Sequence, residues 1–147
     1  MKIAGFTGTR KGMTDIQKEL VTGLLTSVDI ALHGGCVGAD IGFDDICYRY
    51  KPRSIITVVR PSNIKRTQGR WHYTPCVKPE KPPLVRDKDI VDFSDFLIAC
   101  PDGKEKLRSG TWATVRYARK QGKKIFIVYP DGTVSVEEGI NKLSTMC

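Results

Sequence analysis

The sequence lacks the features that define several classes of protein. No apolar run approaches the ~20 residues of a membrane-spanning helix, and residues 1–6 contain no apolar core of the kind that a signal peptide needs. The five cysteines are widely spaced, odd in number and never arranged as C-x-x-C, which argues against a disulfide framework. We therefore expect a protein of the reducing cytoplasm, without membrane attachment.

Internal repeats and low-complexity tracts are also missing, and 147 residues is the length of one domain. With 40% hydrophobic and 27% charged residues, the chain can bury a core. We therefore predict a single domain over residues 1–147, with a basic, proline-rich loop at about 60–83. That loop mixes cations with aromatic rings, and loops of this length are usually functional or disordered.

Positive charge is concentrated in one segment. The chain has 24 Lys and Arg against 16 Asp and Glu, a net charge of +8. Residues 51–88 hold ten of the basic residues and two of the acidic ones, so this segment accounts for the whole imbalance. Such charge is typical either of a solvated surface or of a site for phosphates or polyanions.

Apolar runs of strand length alternate with amphipathic helical patterns. The runs predict five strands, at residues 2–7, 29–33, 54–59, 95–100 and 124–129. The helical patterns predict helices at residues 14–27, 38–50, 84–93 and 111–121, and one more is expected in the tail. In the second helix, Asp44 and Asp45 are expected to face solvent. The alternation predicts a Rossmann-like α/β fold, a parallel sheet of about five strands with helices on both faces.

Three loops after predicted strands have unusual compositions. Residues 5–12 combine glycines with hydroxyls and cations, but match neither G-x-G-x-x-G nor the P-loop. Residues 33–40 place three glycines before a helix, where backbone N–H groups can hold an anion. Residues 108–111, R-S-G-T, again precede a helix. Each loop alone also fits an ordinary turn or helix cap. Together, at the ligand-binding edge of one sheet, they predict a site for a small phosphorylated ligand.

The candidate ligand-binding residues lie in these loops, with one arginine outside them. They are Gly8, Thr9, Arg10, Gly34, Gly35, Cys36, Gly38, Asp40, Arg86, Arg108, Ser109, Gly110 and Thr111. Arg10 and Arg86 are expected to neutralise phosphate, and Asp40 either meets ribose hydroxyls or stabilises a helix dipole.

The basic loop is expected to close over the base of the ligand, or else to act as an oligomer contact or a solvated flap. Its candidate base or polyanion contacts are Arg60, Lys65, Arg66, Arg70, Trp71 and Tyr73. Mixed cations and aromatic rings suit stacking on a base beside a phosphate.

Metal binding is a weaker interpretation of the same region. His33 with Cys36, and His72 with Cys76, offer the ligand types of a zinc site. The two pairs come from different loops, and one loop is a glycine-rich turn of the phosphate-binding kind. We therefore predict no metal and no cofactor.

The order and spacing of the three loops resemble those of the SLOG superfamily, the Rossmann-like group that joins the DNA-processing protein A core with the Lonely Guy phosphoribohydrolases. Residues 5–10 resemble the group's first-strand G-S-R loop. Residues 34–40 are similar to S-G-x-A-x-G-I-D of DNA-processing protein A, and residues 109–114 resemble its S-G-S-x-x-T-A helix. The resemblance covers residues 2–132 and is closest to short stand-alone SLOG proteins of bacteria and their phages. It implies a nucleotide-type ligand and a homo-oligomer.

The resemblance also bears on catalysis. The Lonely Guy enzymes use an arginine before the fourth strand, which Arg86 matches, and a glutamate in P-G-G-x-G-T-x-x-E. Gly110 and Thr111 match the G-T, but Thr114 stands at the glutamate position and the P-G-G is absent. The binding half of the motif is present and its carboxylate is missing, which favours a binding protein over an enzyme.

We therefore predict a protein that binds a nucleotide or a nucleotide-derived small molecule, and that senses or sequesters a signalling nucleotide. One alternative is single-stranded DNA binding, as the resemblance to DNA-processing protein A implies. The other is cleavage of the N-glycosidic bond of a nucleotide, with an unrecognised acid in place of the missing glutamate.

Overall fold

A computed structural model describes residues 1–50 and 54–139. Its elements in chain order are β1 (Ile3–Gly8), α1 (Asp15–Leu24), β2 (Ile30–His33), α2 (Ala39–Arg49), β3 (Ile56–Val59), a 3₁₀ turn (Lys65–Thr67), α3 (Pro83–Asp92), β4 (Phe96–Cys100), α4 (Gly110–Lys120), β5 (Lys124–Val128) and β6 (Val134–Glu137). All five predicted strands and the four helices between them form, with slightly shifted ends.

The strands form one sheet in the order β3-β2-β1-β4-β5-β6. The first five strands are parallel, and β6 runs antiparallel to β5. The chain order reverses between β1 and β4, which are neighbours with Gly8 opposite Cys100. At such a switch point the connecting segments leave toward opposite faces and a crevice opens beyond the strand ends. The predicted Rossmann-like α/β fold is confirmed.

Helices cover both faces because successive side chains of a strand point to opposite sides. In β4, Phe96 and Ile98 belong to the apolar core beneath α1 and α2. Leu97 and Ala99 belong to the core on the other face, which contains Trp112 of α4. A strand buried on both sides reads as a continuous apolar run, and this is why the sequence pattern identified β4.

The sixth strand was not predicted. A turn after β5 reverses the chain, and Ser135 of β6 lies opposite Ile127. The expectation of a helix in the tail is therefore wrong for Val134–Glu137, where alternating valines suit an edge strand. Residues 140–147 lie outside the described part of the chain.

The basic loop is more ordered than the sequence indicates. Its backbone makes isolated bridges that join Cys36 to Gln68, Val59 to Val77 and Ser62 to Lys81. The side chains of Ser62 and Thr67 are buried. The loop therefore lies against the ends of β2 and β3, with its backbone groups satisfied by neighbouring segments.

A buried glutamine connects α1 to the carboxyl ends of β4 and β5. Thr14 and Gln17 form the predicted capping box at the start of α1. The Gln17 side chain is 1% exposed, and its Nε2 donates to the carbonyls of Val128 (2.8 Å) and Pro101 (3.1 Å). A single side chain thus donates to two carbonyls at the carboxyl ends of β4 and β5.

Two properties of the described residues bear on function. No helix within residues 1–50 and 54–139 has the length and apolar character needed to cross a membrane. The same residues contain no group of three or more His, Cys, Asp or Glu side chains that could hold a metal ion.

The role of Gln17 predicts a large effect of its replacement. Gln17→Met keeps an unbranched chain but leaves two buried carbonyls without a donor and removes half of the capping box. We expect the free energy of unfolding, measured by urea denaturation, to fall by about 3 kcal/mol. Lys18→Met, at an exposed position of the same helix, is the control and should change it by less than about 0.5 kcal/mol. Equal effects of the two changes would show that the buried carbonyls do not depend on Gln17.

Candidate functional site

A cavity of about 320 Å³ opens at the switch point, beyond the carboxyl ends of β1 and β4. Its walls come from the loops after these strands and from the N-terminal turns of α2, α3 and α4. Ten of the predicted ligand-binding residues line it: Gly8, Thr9, Arg10, Cys36, Asp40, Arg86, Arg108, Ser109, Gly110 and Thr111. Gly34, Gly35 and Gly38 do not.

The loop after β1 is fixed between β4 and α2. The Thr9 N–H donates to the carbonyl of Cys100 (3.0 Å), and the Thr9 carbonyl accepts from the Ala39 N–H (2.9 Å). A Cβ at Gly8 would lie 2.5 Å from the Cβ of Ala39, so only glycine allows this approach. Arg10 then stands exposed at the rim of the cavity, and no carboxylate of the described chain pairs with it.

The loop before α2 bonds its N–H groups within the protein. The Cys36 N–H donates to Oδ2 of Asp40 (3.2 Å), and the Gly35 N–H donates to Nδ1 of His33 (2.9 Å). The Val37 N–H donates to the Thr67 carbonyl in the basic loop (2.9 Å). The sequence predicts an anion site here, and in the structure the Asp40 side chain accepts one of these N–H groups.

A buried histidine and aspartate account for part of this arrangement. Nε2 of His33 lies 2.8 Å from Oδ1 of Asp44, and both side chains are almost fully buried. Because Nδ1 accepts from the Gly35 N–H, the proton of the neutral ring is on Nε2. Asp44 also accepts from the backbone N–H of His72 (2.8 Å). The expectation that Asp44 faces solvent is therefore wrong, since it ties α2 to β2 and to the basic loop.

The N-terminus of α4 remains directed at the cavity. Ser109 is the N-cap, and its hydroxyl accepts from the Trp112 N–H (3.2 Å). Gly110 and Thr111 are the first residues of the helix, and their N–H groups have no acceptor within it. Arg108, directly before the cap, is exposed at the rim and pairs with no described carboxylate. These four residues form the positively polarised wall of the cavity.

Arg86 lies beneath the second loop, on the floor of the cavity. Its side chain is 8% exposed. Nη1 donates to the Gly34 carbonyl (3.0 Å) and Nε to Oδ1 of Asp87 (2.7 Å), while Nη2 lies 3.5 Å from Sγ of Cys36. A Cβ at Gly34 would be 2.2 Å from Nη1, so this glycine makes room for the arginine rather than for a ligand.

Two carboxyls share the floor with Arg86. Burial raises the pKa of Asp40 above its usual value, and the charges of His33 and Arg86 oppose that rise. Burial also raises the pKa of Asp87, although the charge and the hydrogen bond of Arg86 oppose that rise. The floor thus carries two carboxyls and one guanidinium. The sequence analysis assigned no role to Asp87; its position directly after Arg86 was the available signal.

The rim also contains residues to which the sequence analysis assigned no ligand-binding role. Asp102 follows β4 and pairs with Lys11 (3.1 Å) and Lys106 (3.4 Å). Hydrogen bonding to Lys11 lowers the pKa of Asp102 below its usual range. Lys106 and Pro83 line the cavity as well. Asp102 and Lys106 belong to the same loop as Arg108 and Ser109, so the end of β4 brings them to this edge together.

The six candidates in the basic loop lie outside the cavity. Arg60 lies 3.7 Å from Asp89 and its guanidinium carbon is 4.4 Å from the ring centre of Phe93. Lys65 pairs with Glu80. The ring of Trp71 covers Gly35, where an added Cβ would lie 2.6 Å from it. Arg66, Arg70 and Tyr73 are exposed. The loop does not close over the cavity in this structure.

Comparison with known proteins supports the fold. No protein-family model matches the chain, and no curated protein matches it. Among solved structures, a molybdenum cofactor binding protein from the phototrophic bacterium Rippkaea orientalis has a TM-score of 0.67 at 19% identity, over 87% of this chain and 76% of that chain. The structural genomics target TM1055 has a TM-score of 0.62 at 17% identity, over 85% and 72%. At these identities the likeness shows a shared Rossmann-like fold, and membership of the SLOG superfamily stays a prediction.

The burial of Asp40 predicts how stability depends on pH. Above the ordinary aspartate pKa of about 4, native Asp40 holds its proton more firmly than the unfolded chain does, so its contribution to stability falls as pH rises. We expect the free energy of unfolding of the wild type, minus that of Asp40→Asn, to decrease from pH 4 toward neutrality in urea titrations. Asp45→Asn is the matched control, because hydrogen bonds from His72 and Arg49 lower the pKa of exposed Asp45. The free energy of unfolding of the wild type, minus that of Asp45→Asn, should increase with pH over the acid range. A rising difference for Asp40→Asn would contradict the buried-carboxyl interpretation.

Proposed function

We propose that the chain binds a nucleotide or a nucleotide-derived small molecule in the cavity between β1 and β4. The observation that carries this proposal is the polarity of the cavity, which has carboxyls on its floor and unpaired cations at its rim. Phosphate suits the cationic rim, and hydroxyl groups suit the carboxyls. Sensing or sequestering such a ligand is the role that this architecture supports.

The phosphate end is formed by two arginines and one helix terminus. Arg10 and Arg108 lie at the rim without a carboxylate partner among the described residues. The N–H groups of Gly110 and Thr111 add the positive end of α4. Together these groups supply both the charge and the directed donors that a phosphate requires.

The opposite end suits hydroxyl donors. The Asp87 side chain is 18% exposed and lines the cavity, and its Oδ1 already accepts from Arg86. An ionised carboxylate accepts hydrogen bonds at both oxygens, so Asp87 can accept another from a ligand hydroxyl. Arg86 therefore orients this carboxylate, and neutralising phosphate falls to the arginines of the rim. A cavity of about 320 Å³ is at the lower end of the range for small-molecule sites.

Removing the rim charges should weaken binding. With adenosine 5′-monophosphate as the probe in isothermal titration calorimetry, we expect Arg10→Gln and Arg108→Gln each to raise the dissociation constant about tenfold, because each loses a charge-assisted hydrogen bond. Arg66→Gln, an exposed arginine of the basic loop outside the cavity, is the control and should change it less than about twofold.

Binding of single-stranded DNA to the basic loop gives the opposite pattern. A short oligothymidine held by Arg66 and Arg70 would lose affinity steeply with salt, with a slope near −0.7 per neutralised phosphate. The affinity for the oligothymidine would depend on these two arginines and would not change on replacement of Arg10 or Arg108. Tight binding of that kind, without binding of the mononucleotide, would contradict the proposed function and favour the DNA alternative.

Cleavage of an N-glycosidic bond is a second candidate, favoured by one juxtaposition. Thr114 stands where the resemblance places the catalytic glutamate, and Thr114 and Asp87 line the same crevice between α3 and α4. A carboxyl of α3 thus lies beside the position that lacks one on α4. In this reaction water adds to the anomeric carbon and the C–N bond breaks. The carboxylic acid gives its proton to the departing base, and the proton lost by the water restores it.

Release of free base tests this second candidate. The release of adenine from adenosine 5′-monophosphate is measured by chromatography. If the wild type releases adenine, Asp87→Asn should lower the rate of release about 10²- to 10⁴-fold. Asp92→Asn is the matched control, because Asp92 is an exposed residue of α3 that accepts from the Tyr117 hydroxyl. No release by the wild type would reject hydrolysis while leaving the binding proposal intact.

A further inference from the structure

The cavity offers no aromatic surface to a ligand. Among the described residues that line it, Phe6 is the one aromatic side chain. Phe6 is 1% exposed and stacks on Phe43, with ring centres 4.3 Å apart and planes 6° from parallel. A ring buried in this way contributes to the sheet core and cannot stack on a base.

The aromatic residues that could stack on a base are elsewhere. Trp71 covers Gly35, and Tyr73 is 88% exposed on the basic loop. Proteins commonly recognise nucleic-acid bases by stacking them on aromatic rings. The polar groups of this cavity instead consist of carboxyls, arginines, hydroxyls and helix N–H groups. These groups match the hydroxyls and the phosphate of a sugar phosphate.

We propose that this cavity recognises the sugar and phosphate parts of its ligand and is indifferent to the base. The inference rests on the proposed function, since it names the part of the nucleotide that the same site reads. The ligand class is a pentose 5-phosphate, either free or carrying a base that projects out of the cavity. Arg10, Arg108 and the start of α4 hold the phosphate, and Asp87 and Asp40 face the sugar hydroxyls.

The carboxyls make it possible to test whether the cavity recognises the sugar hydroxyls. Asp87 is oriented by Arg86 and is within reach of the cavity. A sugar hydroxyl that donates to an ionised carboxylate makes a charge-assisted hydrogen bond, and its loss leaves a partly buried carboxylate without that partner. A sugar lacking a hydroxyl should therefore bind more weakly than ribose 5-phosphate, whereas a change of base should matter little.

The test is a series of calorimetric titrations of the wild-type chain. The probes are ribose 5-phosphate, 2-deoxyribose 5-phosphate and the 5′-monophosphates of adenosine, guanosine, cytidine and uridine. We expect the dissociation constants of the five ribose compounds to agree within about threefold, and that of the deoxyribose compound to be about tenfold higher. In Asp87→Asn, the difference between ribose and deoxyribose 5-phosphate should shrink to about twofold.

The outcomes separate this inference from the proposed function. If one nucleotide binds more than about tenfold tighter than the others, and ribose 5-phosphate binds weakly, base indifference is overturned while nucleotide binding stands. If no phosphorylated probe binds, both are overturned. Should Asp87→Asn fail to give a cooperative thermal transition, the wild-type series still decides the question, because it contains both the base and the hydroxyl comparisons.

Discussion

The organisation of the cavity depends on one buried charge. Arg86 projects from α3 beneath the loop after β2 and is almost fully removed from water. A buried guanidinium is tolerated only when its donors are satisfied and its charge is matched. The Gly34 carbonyl and Asp87 meet these needs directly, and Asp40 lies close enough for its charge to act on the arginine. The absence of a side chain at residue 34 and the presence of carboxyls on the floor follow from this constraint.

The loops before α2 and α4 differ in the donors that they leave for a ligand. Before α2, Asp40 accepts the Cys36 N–H, and Gly35 donates to His33. These N–H groups are thus bonded to side chains of the protein itself. At α4 the cap is a serine, which satisfies the Trp112 N–H and brings no charge. The first donors of α4 keep their positive polarisation, so the anion-binding capacity of the site is concentrated on one wall.

Apart from Arg86, the excess positive charge of the middle segment does not build the cavity. Its cations are partly neutralised where they stand: Arg60 lies near Asp89, Lys65 pairs with Glu80 and Lys81 pairs with Asp89. Trp71 is used to cover Gly35. What remains exposed lies on the outer surface, where charge influences solubility and the approach of anions more than the selection of one ligand.

The sequence alone determined the first five strands, the four helices between them and the edge at which the cavity opens. Apolar runs and caps such as Thr14 with Gln17 act over a few residues, so local pattern identifies them, as it did for β4 and α1. The rim residues Arg10 and Arg108 followed from the rule that ligands meet parallel strands at their carboxyl ends.

Only the tertiary structure decided which groups remain available to a ligand. Asp44 is buried against His33, and Arg86 of α3 donates to the Gly34 carbonyl. Both contacts join segments that are not adjacent in the chain. Burial and pairing between such segments set the charge of a carboxyl, and no local pattern encodes them.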